Sequence, residues 1–228
     1  MLRRRLPKQF GRLPIFVTPG CGLRYWGTTA KIDPMLYRMA QQLVKPGAVV
    51  WDVGANLGLF TFCAAALSGR SGHTLAIEPD GWLCDLMHRS MEINQDRLGK
   101  IAIENVAIGE SSGAAFLEVS DRSRAFNRVT NSGNAGVSVR TLTLDSLLAT
   151  HPPPSILKID VESFELQVLK GASEVLRKHR PSIWCEVDRP NSQAISDLLH
   201  GSGYDLFSPV SGQKIEKANW HTLAIRSA

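Results

Sequence analysis

The chain has 228 residues, a length that suits one domain with additions or two small domains. Its composition, 43% hydrophobic and 21% charged, is that of a globular protein and excludes a disordered, collagen-like or multi-spanning membrane protein. The net charge of +5 arises in the first twelve residues, which contain no acid and five basic residues: Arg3, Arg4, Arg5, Lys8 and Arg12.

Because the excess charge is confined to this N-terminal arm, the sequence predicts no nucleic-acid-binding face and no nucleic-acid partner. The arm is expected to be a mobile, solvated terminus that at most makes peripheral contact with anionic lipid headgroups. We assign residues 1–32 to a basic extension and residues 33–228 to a single domain. Four widely spaced cysteines and the absence of a secretory pattern predict reduced thiols and a cytoplasmic location.

Strand-like and helix-like segments alternate along the single domain. Asp33 followed by Pro34 predicts a capped first helix. The predicted strands are residues 48–53, 73–77, 101–108, 156–160, 182–187, 204–207 and 221–225. The predicted helices between them are residues 59–67, 82–94, 164–178 and 191–201. This alternation predicts an α/β fold with a mostly parallel sheet, an antiparallel edge strand at its end, and ligands at the carboxyl ends of the strands.

Residues 110–145 interrupt the alternation with an inserted β-hairpin. Its predicted strands, 114–119 and 137–144, flank a polar tip at 120–136. The tip is predicted to close over an acceptor and exclude water, with a plain surface loop as the alternative. Its expected hydrogen-bond donors to acceptor oxygens are Arg122, Arg124, Asn127 and Arg128.

A glycine-containing turn follows the first central strand. Asp52 stands near the strand end, and Gly54, Asn56 and Gly58 follow it before the next helix. Gly54 allows a sharp turn, and Gly58 allows the helix to approach a ligand closely. The segment is not a dinucleotide fingerprint, because Asn56 occupies the position of its second glycine.

Glu78 ends the next strand, 20 residues after Gly58, which suits a carboxylate that accepts hydrogen bonds from both ribose hydroxyls. Asp52 would repel a pyrophosphate and suits a cationic ligand. S-adenosylmethionine has a sulfonium, an ammonium group and a ribose but no phosphate. The set of acids and glycines therefore favours S-adenosylmethionine over NAD.

A second motif lies in the string Lys-Ile-Asp-Val-Glu at residues 158–162, followed by Glu165 and by Leu-Lys-Gly-Ala at 169–172. Together with Asp-Val-Gly-Ala-Asn-Leu-Gly upstream, it resembles the FkbM family of S-adenosylmethionine-dependent methyltransferases over residues 35–187. Ser163 stands where the family commonly has glycine, and we expect it to cap the following helix. The resemblance implies a Rossmann-like class I methyltransferase with a seven-stranded sheet ordered 3-2-1-4-5-7-6.

The resemblance also implies roles for individual residues. Glu78 would hold the ribose of the cofactor, and Asp52, Gly54, Asn56 and Gly58 would line its methionine end. Asn105 and Ala107 end the third strand, where methyltransferases of this fold contact adenine. A plain strand-end cap is the alternative for Asn105.

Asp160 is the predicted general base, because an alcohol is a poor nucleophile while it keeps its proton. Lys158 lies on the same strand face, where we expect it to pair with a carboxylate or approach the acceptor oxygen. Glu162 is the third catalytic candidate. Glu186 ends the next strand, so Asp160, Glu162 and Glu186 form a conceivable magnesium site, although we assign no metal.

The predicted function is O-methylation of a sugar or glycan hydroxyl, such as a deoxyhexose of a secreted glycolipid or lipochitooligosaccharide. The alternatives are a polyketide or other secondary-metabolite acceptor, a nucleic-acid base or protein side chain, and a non-catalytic cofactor-binding scaffold. The chain lacks the Asn/Asp-Pro-Pro-Tyr motif common in amino-group methyltransferases, and apart from Ser163 it has the acids and glycines expected of an active enzyme.

Overall fold

A computed structural model describes residues 1–21, 32–120, 124, 127–130 and 136–227. Its strands are β1 (Leu2–Arg5), β2 (Pro14–Val17), β3 (Val49–Val53), β4 (His73–Ile77), β5 (Lys100–Glu104), β6 (Ala107–Ile108), β7 (Gly113–Glu118), β8 (Arg128–Thr130), β9 (Val137–Leu142), β10 (Ile156–Ile159), β11 (Ser182–Glu186), β12 (Tyr204–Phe207), β13 (Lys214–Ile215) and β14 (His221–Arg226). Its α-helices are α1 (Pro34–Leu43), α2 (Leu59–Ser68), α3 (Gly81–Glu92), α4 (Leu144–Leu147), α5 (Glu165–Lys170) and α6 (Ser192–Gly201).

The central sheet is ordered β13-β12-β14-β11-β10-β3-β4-β5. The strands from β11 to β5 pair in parallel, and β14 is antiparallel to both of its neighbours. The seven longer strands follow the predicted order. The antiparallel edge expected from the last two predicted strands is present. β14 lies between β11 and β12, and the short β13 pairs antiparallel with β12 at the outer edge.

The predicted hairpin belongs to a separate four-stranded sheet, ordered β6-β9-β7-β8. β7 pairs antiparallel with β9, as expected, and also with β8. The predicted strand 101–108 is in fact two strands, because the chain leaves the central sheet after Glu104 and pairs with β9 from Ala107. Val106, Ala107 and Ile108 are buried, so the apolar pattern continues through the break.

Two faces of the central sheet are covered by helices, as expected of an α/β fold. In α1, Asp33 Oδ1 accepts a hydrogen bond from the Leu36 amide at 2.9 Å, which confirms the predicted cap. The helix predicted over 164–178 is shorter, because α5 ends at Lys170 and a π-helical turn occupies Val175–His179. The Asp145 carboxylate, on α4, accepts hydrogen bonds from the Glu174 and Val175 amides at 2.9 Å. These bonds cap the start of the π-helical turn, which is therefore separate from α5.

The basic arm is folded over residues 1–21, contrary to the expectation of a mobile terminus. β1 and β2 form an antiparallel hairpin that packs on α3. Phe10, Ile15 and Val17 are fully buried in the core, and the Phe16 amide donates to Ser90 Oγ on α3 at 2.9 Å. Apolar residues thus anchor the arm between its charges. No helix within the described ranges is long and apolar enough to cross a membrane.

Candidate active site

The carboxyl ends of the central strands open into a cavity of about 460 Å³, where sequence analysis placed the ligand site. Seven of the predicted site residues line it: Gly54, Asn56, Glu78, Ala107, Lys158, Asp160 and Glu162. Glu186 also lines it. Among the described residues, the lining does not include Asp52, Gly58 or Asn105, which were expected to contact the cofactor.

The turn after β3 brings two parallel strand ends together. Gly54 has a φ of +77°, and a Cβ at this position would lie 1.9 Å from the carbonyl oxygen of Asp160, so a side chain cannot be accommodated. The next turn residue, Asn56, also has a positive φ, 53°, and its Oδ1 accepts from the Leu57 amide at 2.8 Å. The backbone of the turn therefore borders the cavity directly.

Glu78 is a buried carboxylate at the edge of the cavity, with 5% of its surface exposed. Its Oε2 accepts from the Asn56 amide at 2.8 Å, and its Oε1 accepts from the Asp80 amide at 3.0 Å. Burial raises the pKa of Glu78 to about 7, although these two backbone donors favour the charged form. The carboxylate is thus held rigidly, with lone pairs left on both oxygens.

Asn105 supports this arrangement from behind. Its amide donates to the carbonyl oxygens of Glu78 at 2.9 Å and Pro79 at 3.0 Å. These bonds are those of a strand-end cap, which was the alternative to adenine contact for Asn105.

Asp52 and Lys158 are register partners on β3 and β10, and both are buried on the α2 side of the sheet. Lys158 Nζ lies 3.2 Å from Asp52 Oδ1 and 3.1 Å from Asp160 Oδ2, which confirms the predicted carboxylate partner of Lys158. Thr61 Oγ1 donates to Asp52 Oδ2 at 2.6 Å. Burial opposes the charge of Lys158, but Asp160 and Asp52 outweigh it and raise the lysine pKa.

Asp52 and Gly58, both expected to contact the cofactor, lie outside the cavity lining. The Asp52 carboxylate is used within the protein, by Lys158 and by Thr61 on α2. Gly58 begins α2 with a φ of +79°, and a Cβ there would lie 2.9 Å from Phe62 Cε2 and 3.1 Å from Met87. Gly58 therefore allows α2 and α3 to pack closely against each other.

The cavity lining also includes a group of acids around Asp160, which forms the Asp160 end. Asp160 follows β10 and is 40% exposed, and Glu162 and Glu186 lie near it. Burial, followed by the charge of Asp160, raises the pKa of Glu186 to about 8 and also raises that of Glu162. Within the described part of the chain, no group of three or more Asp, Glu, His or Cys side chains is arranged to hold a metal ion.

The loop after Asp160 is tied to the loop after β11. Ser163 has a φ of +63°, a conformation that favours glycine, and its hydroxyl donates to Asp188 rather than capping α5 as expected. The Glu165 carboxylate accepts from the Ser163 amide at 3.0 Å and from the Asn191 side chain at 2.8 Å. No sequence pattern linked Asp188 or Asn191 to this loop, because they meet it only through the fold.

The polar tip of the small sheet contacts the Glu78 end of the cavity. Arg124 and Asn127 line the cavity, and both donate to Asp80 Oδ2, Asn127 at 2.9 Å. The Arg124 guanidinium also lies 4.8 Å from the Trp82 ring centre. These donors are therefore used within the protein rather than left open for an acceptor. Arg128 begins β8 and is exposed, whereas Arg122 lies outside the described residues.

Comparison with known families is decisive for the class of protein. The model of the methyltransferase FkbM domain matches residues 52–206. The chain belongs to the FkbM methyltransferase family. This membership confirms a methyltransferase domain and S-adenosylmethionine as the cofactor of the family, whereas transfer to oxygen stays a prediction.

Individual relatives of this FkbM protein cover it to different extents. Hexuronic acid methyltransferase AglP from Haloferax volcanii is 31% identical over 133 residues, which are 57% of this chain and 52% of that relative. The chain thus spans about half the length of the curated relative it matches. The crystal structure of the FkbM methyltransferase from Methylobacillus flagellatus is similar with a TM-score of 0.53 at 16% identity, over 82% of this chain and 49% of that chain.

A second solved structure shares the fold. The SAM-dependent O-methyltransferase from Thermotoga maritima matches with a TM-score of 0.50 at 13% identity, over 85% of this chain and 64% of that chain. At these identities the two structures show the fold alone, which is the predicted class I methyltransferase fold with a central mixed sheet.

Proposed function

We propose that this FkbM protein transfers a methyl group from S-adenosylmethionine to a hydroxyl oxygen of a sugar unit in a glycan. One observation carries the proposal: a single cavity joins the rigidly held carboxylate of Glu78 to the exposed carboxylate of Asp160. The name of the relative AglP, a hexuronic acid methyltransferase, favours a sugar acceptor. A deoxyhexose of a secreted glycolipid or lipochitooligosaccharide is the finer proposal.

The residues around the Glu78 end fit S-adenosylmethionine. Glu78 would accept hydrogen bonds from the ribose hydroxyls, since both of its oxygens retain lone pairs. The turn at Gly54 and Asn56 would border the methionine end, and Ala107 the adenine. When bound, this cofactor supplies a methyl group activated by a positively charged sulfur.

At the other end, Asp160 would accept the proton that the sugar hydroxyl loses as its oxygen becomes a methyl ether. Lys158 would act as a positioning residue, because its ammonium lies 3.1 Å from Asp160 Oδ2 and is fixed from behind by Asp52. A methyl transfer depends strongly on the placement of the attacking oxygen, so a fixed carboxylate would contribute orientation as well as proton acceptance.

The proposal is tested by incubating the purified protein with methyl-labelled S-adenosylmethionine and two acceptor panels, one of glycosides that include deoxyhexosides and one of polyketide hydroxyls. We expect label in the glycosides and equimolar S-adenosylhomocysteine. Label confined to the polyketides would support the alternative acceptor class instead. Binding of S-adenosylhomocysteine without any transfer would support the scaffold alternative.

The raised pKa of Glu78 predicts a pH-dependent affinity for S-adenosylhomocysteine. Ribose hydroxyls donate best to the ionised carboxylate, so binding favours the deprotonated form, and affinity should fall as the pH drops through about 7. Below that value the dissociation constant should rise by up to about tenfold per pH unit. Calorimetry at several pH values measures this change. Glu78→Gln should bind more weakly at neutral pH and show a flat profile, whereas an equal slope in both proteins would exclude Glu78.

The contact between Arg124 and Asp80 predicts an effect on cofactor release. Arg124→Ala removes a charge-assisted hydrogen bond and a ring contact that hold the tip beside the Glu78 end. We expect the dissociation rate of S-adenosylhomocysteine to rise on the order of tenfold, a loss typical of such a bond. Stopped-flow fluorescence measures the rate. A parental dissociation rate of S-adenosylhomocysteine together with a higher KM for the acceptor would instead support the predicted role of the tip in covering the acceptor.

A further inference from the structure

The acceptor end of the cavity carries more negative than positive side chains. Four carboxylates line it: Asp33, Asp160, Glu162 and Glu186. Among the described residues that line this end, Lys158 is the only cation, and its charge is already shared by Asp52 and Asp160. The imidazole of His221, whose Nδ1 lies 3.6 Å from Glu186 Oε1, does not compensate, because burial lowers its pKa.

These acids act on one another. Burial contributes most to the raised pKa of Glu186, and the charges of Asp160, Asp33 and Glu162 raise it further. A carboxylate that enters this end would meet the same repulsion. Arg128, whose charge acts on Glu162, is the described cation that opposes it, and it lies outside the cavity lining. A hydroxyl group, by contrast, would find several acceptors for its hydrogen.

An aromatic side chain lies at the same end. Trp220 lines the cavity, yet 53% of its surface is exposed. It directly precedes β14, and its indole meets the His221 ring edge-on at a centroid distance of 6.4 Å. A large, rigid apolar face that is open to solvent beside a group of hydrogen-bond acceptors suits a ring that has both C–H and O–H groups.

We infer that the acceptor is a sugar unit without negative charge, packed on Trp220, with its hydroxyls donating to the carboxylates around Asp160. The inference rests on the proposed function and narrows its substrate class. It separates this chain from a relative named for hexuronic acid, since an ionised uronate would place a further carboxylate among Asp33, Glu162 and Glu186.

The test compares two acceptors that differ only at C6, a methyl hexoside and the matching methyl hexuronide, each with labelled S-adenosylmethionine at about pH 9, where Glu186 is ionised. We expect kcat/KM for the hexoside to exceed that for the hexuronide at least about tenfold. Equal or better use of the hexuronide would overturn the inference and leave the proposed function intact. Failure of both, with label appearing in a compound that is not a sugar, would overturn the proposed function and the inference together.

A charge-removing variant tests the cause. Asp33→Asn with Glu186→Gln keeps the shape of both side chains, and asparagine caps α1 as well as aspartate does. The ratio of kcat/KM for the hexoside to that for the hexuronide should fall on the order of tenfold, because kcat/KM for the hexuronide rises. Glu110→Gln, on an exposed ion pair with Lys170, is the matched control and should leave the ratio unchanged. An unmoved ratio in the double variant would contradict the electrostatic explanation.

Trp220→Ala tests the stacking face separately. We expect the hexoside KM to rise roughly tenfold, because an open aromatic surface is lost, while the dissociation constant of S-adenosylhomocysteine stays the same. A normal hexoside KM in this variant would overturn the placement of the sugar on Trp220.

Discussion

Replacing Asp160 with asparagine is expected to lower kcat by about 10²–10⁴-fold, the usual contribution of a positioned general base. Asparagine keeps the shape and hydrogen-bonding capacity of the side chain but cannot take up the hydroxyl proton. Single-turnover methyl transfer measures the loss, and calorimetry with S-adenosylhomocysteine should give a dissociation constant within about a few-fold of the parent.

Neighbouring carboxylates supply the controls for Asp160. Glu162→Gln and Glu186→Gln remove charge from the same end of the cavity, where Asp160 helps to raise the pKa of both groups. We expect smaller losses of kcat from each. If Asp160→Asn keeps near-parental kcat while Glu162→Gln loses it, the base is Glu162. Activity that disappears with EDTA and returns with magnesium would instead favour a metal bound by these acids.

Lys158→Met is expected to lower the free energy of unfolding by about 3–5 kcal/mol, the usual cost of removing one partner of a buried ion pair. Lys158 is 3% exposed and Asp52 is fully buried, so the variant leaves the Asp52 charge with only the Thr61 hydroxyl at 2.6 Å. Asp160 suffers less, since it is 40% exposed and can be solvated. Urea unfolding at neutral pH measures the change.

The Asp52 charge is the stated cause of this instability, and a double variant isolates it. Lys158→Met with Asp52→Asn should recover part of the lost stability, because no uncompensated charge remains in the core. Two results would contradict the ion pair as the source of stability. One is a loss of unfolding free energy below about 1 kcal/mol in Lys158→Met. The other is a loss in the double variant that exceeds the sum of the losses in the two single variants.

Local patterns were enough to predict the alternating elements, and the resemblance to the FkbM family implied the order of the seven longer strands. Short apolar runs bounded by glycine and proline gave β3, β4 and β10 nearly to the residue, and the acid at the end of β4 predicted Glu78. The pairing of Lys158 with a carboxylate was also within reach of sequence reasoning, because a buried lysine on a central strand needs an opposite charge.

Contacts between distant segments could not be predicted in this way. The bond from Arg124 to Asp80 spans 44 residues, and the one from Ser163 to Asp188 spans 25. No sequence pattern marked the break within residues 101–108 between the two sheets, because both sheets bury apolar side chains. The arm was misjudged because its charges dominate the composition, whereas its folding depends on Phe10, Ile15 and Val17.

The position of the transferred methyl group is the most direct test of sugar O-methylation. The protein is incubated with ¹³C-methyl-labelled S-adenosylmethionine and a methyl deoxyhexoside, and the purified product is analysed by NMR for coupling between the labelled carbon and the sugar protons. We predict a methyl ether, with the label attached through oxygen to one ring carbon, and no such product from Asp160→Asn in the same time. A label on nitrogen, carbon or a compound that is not a sugar would contradict it.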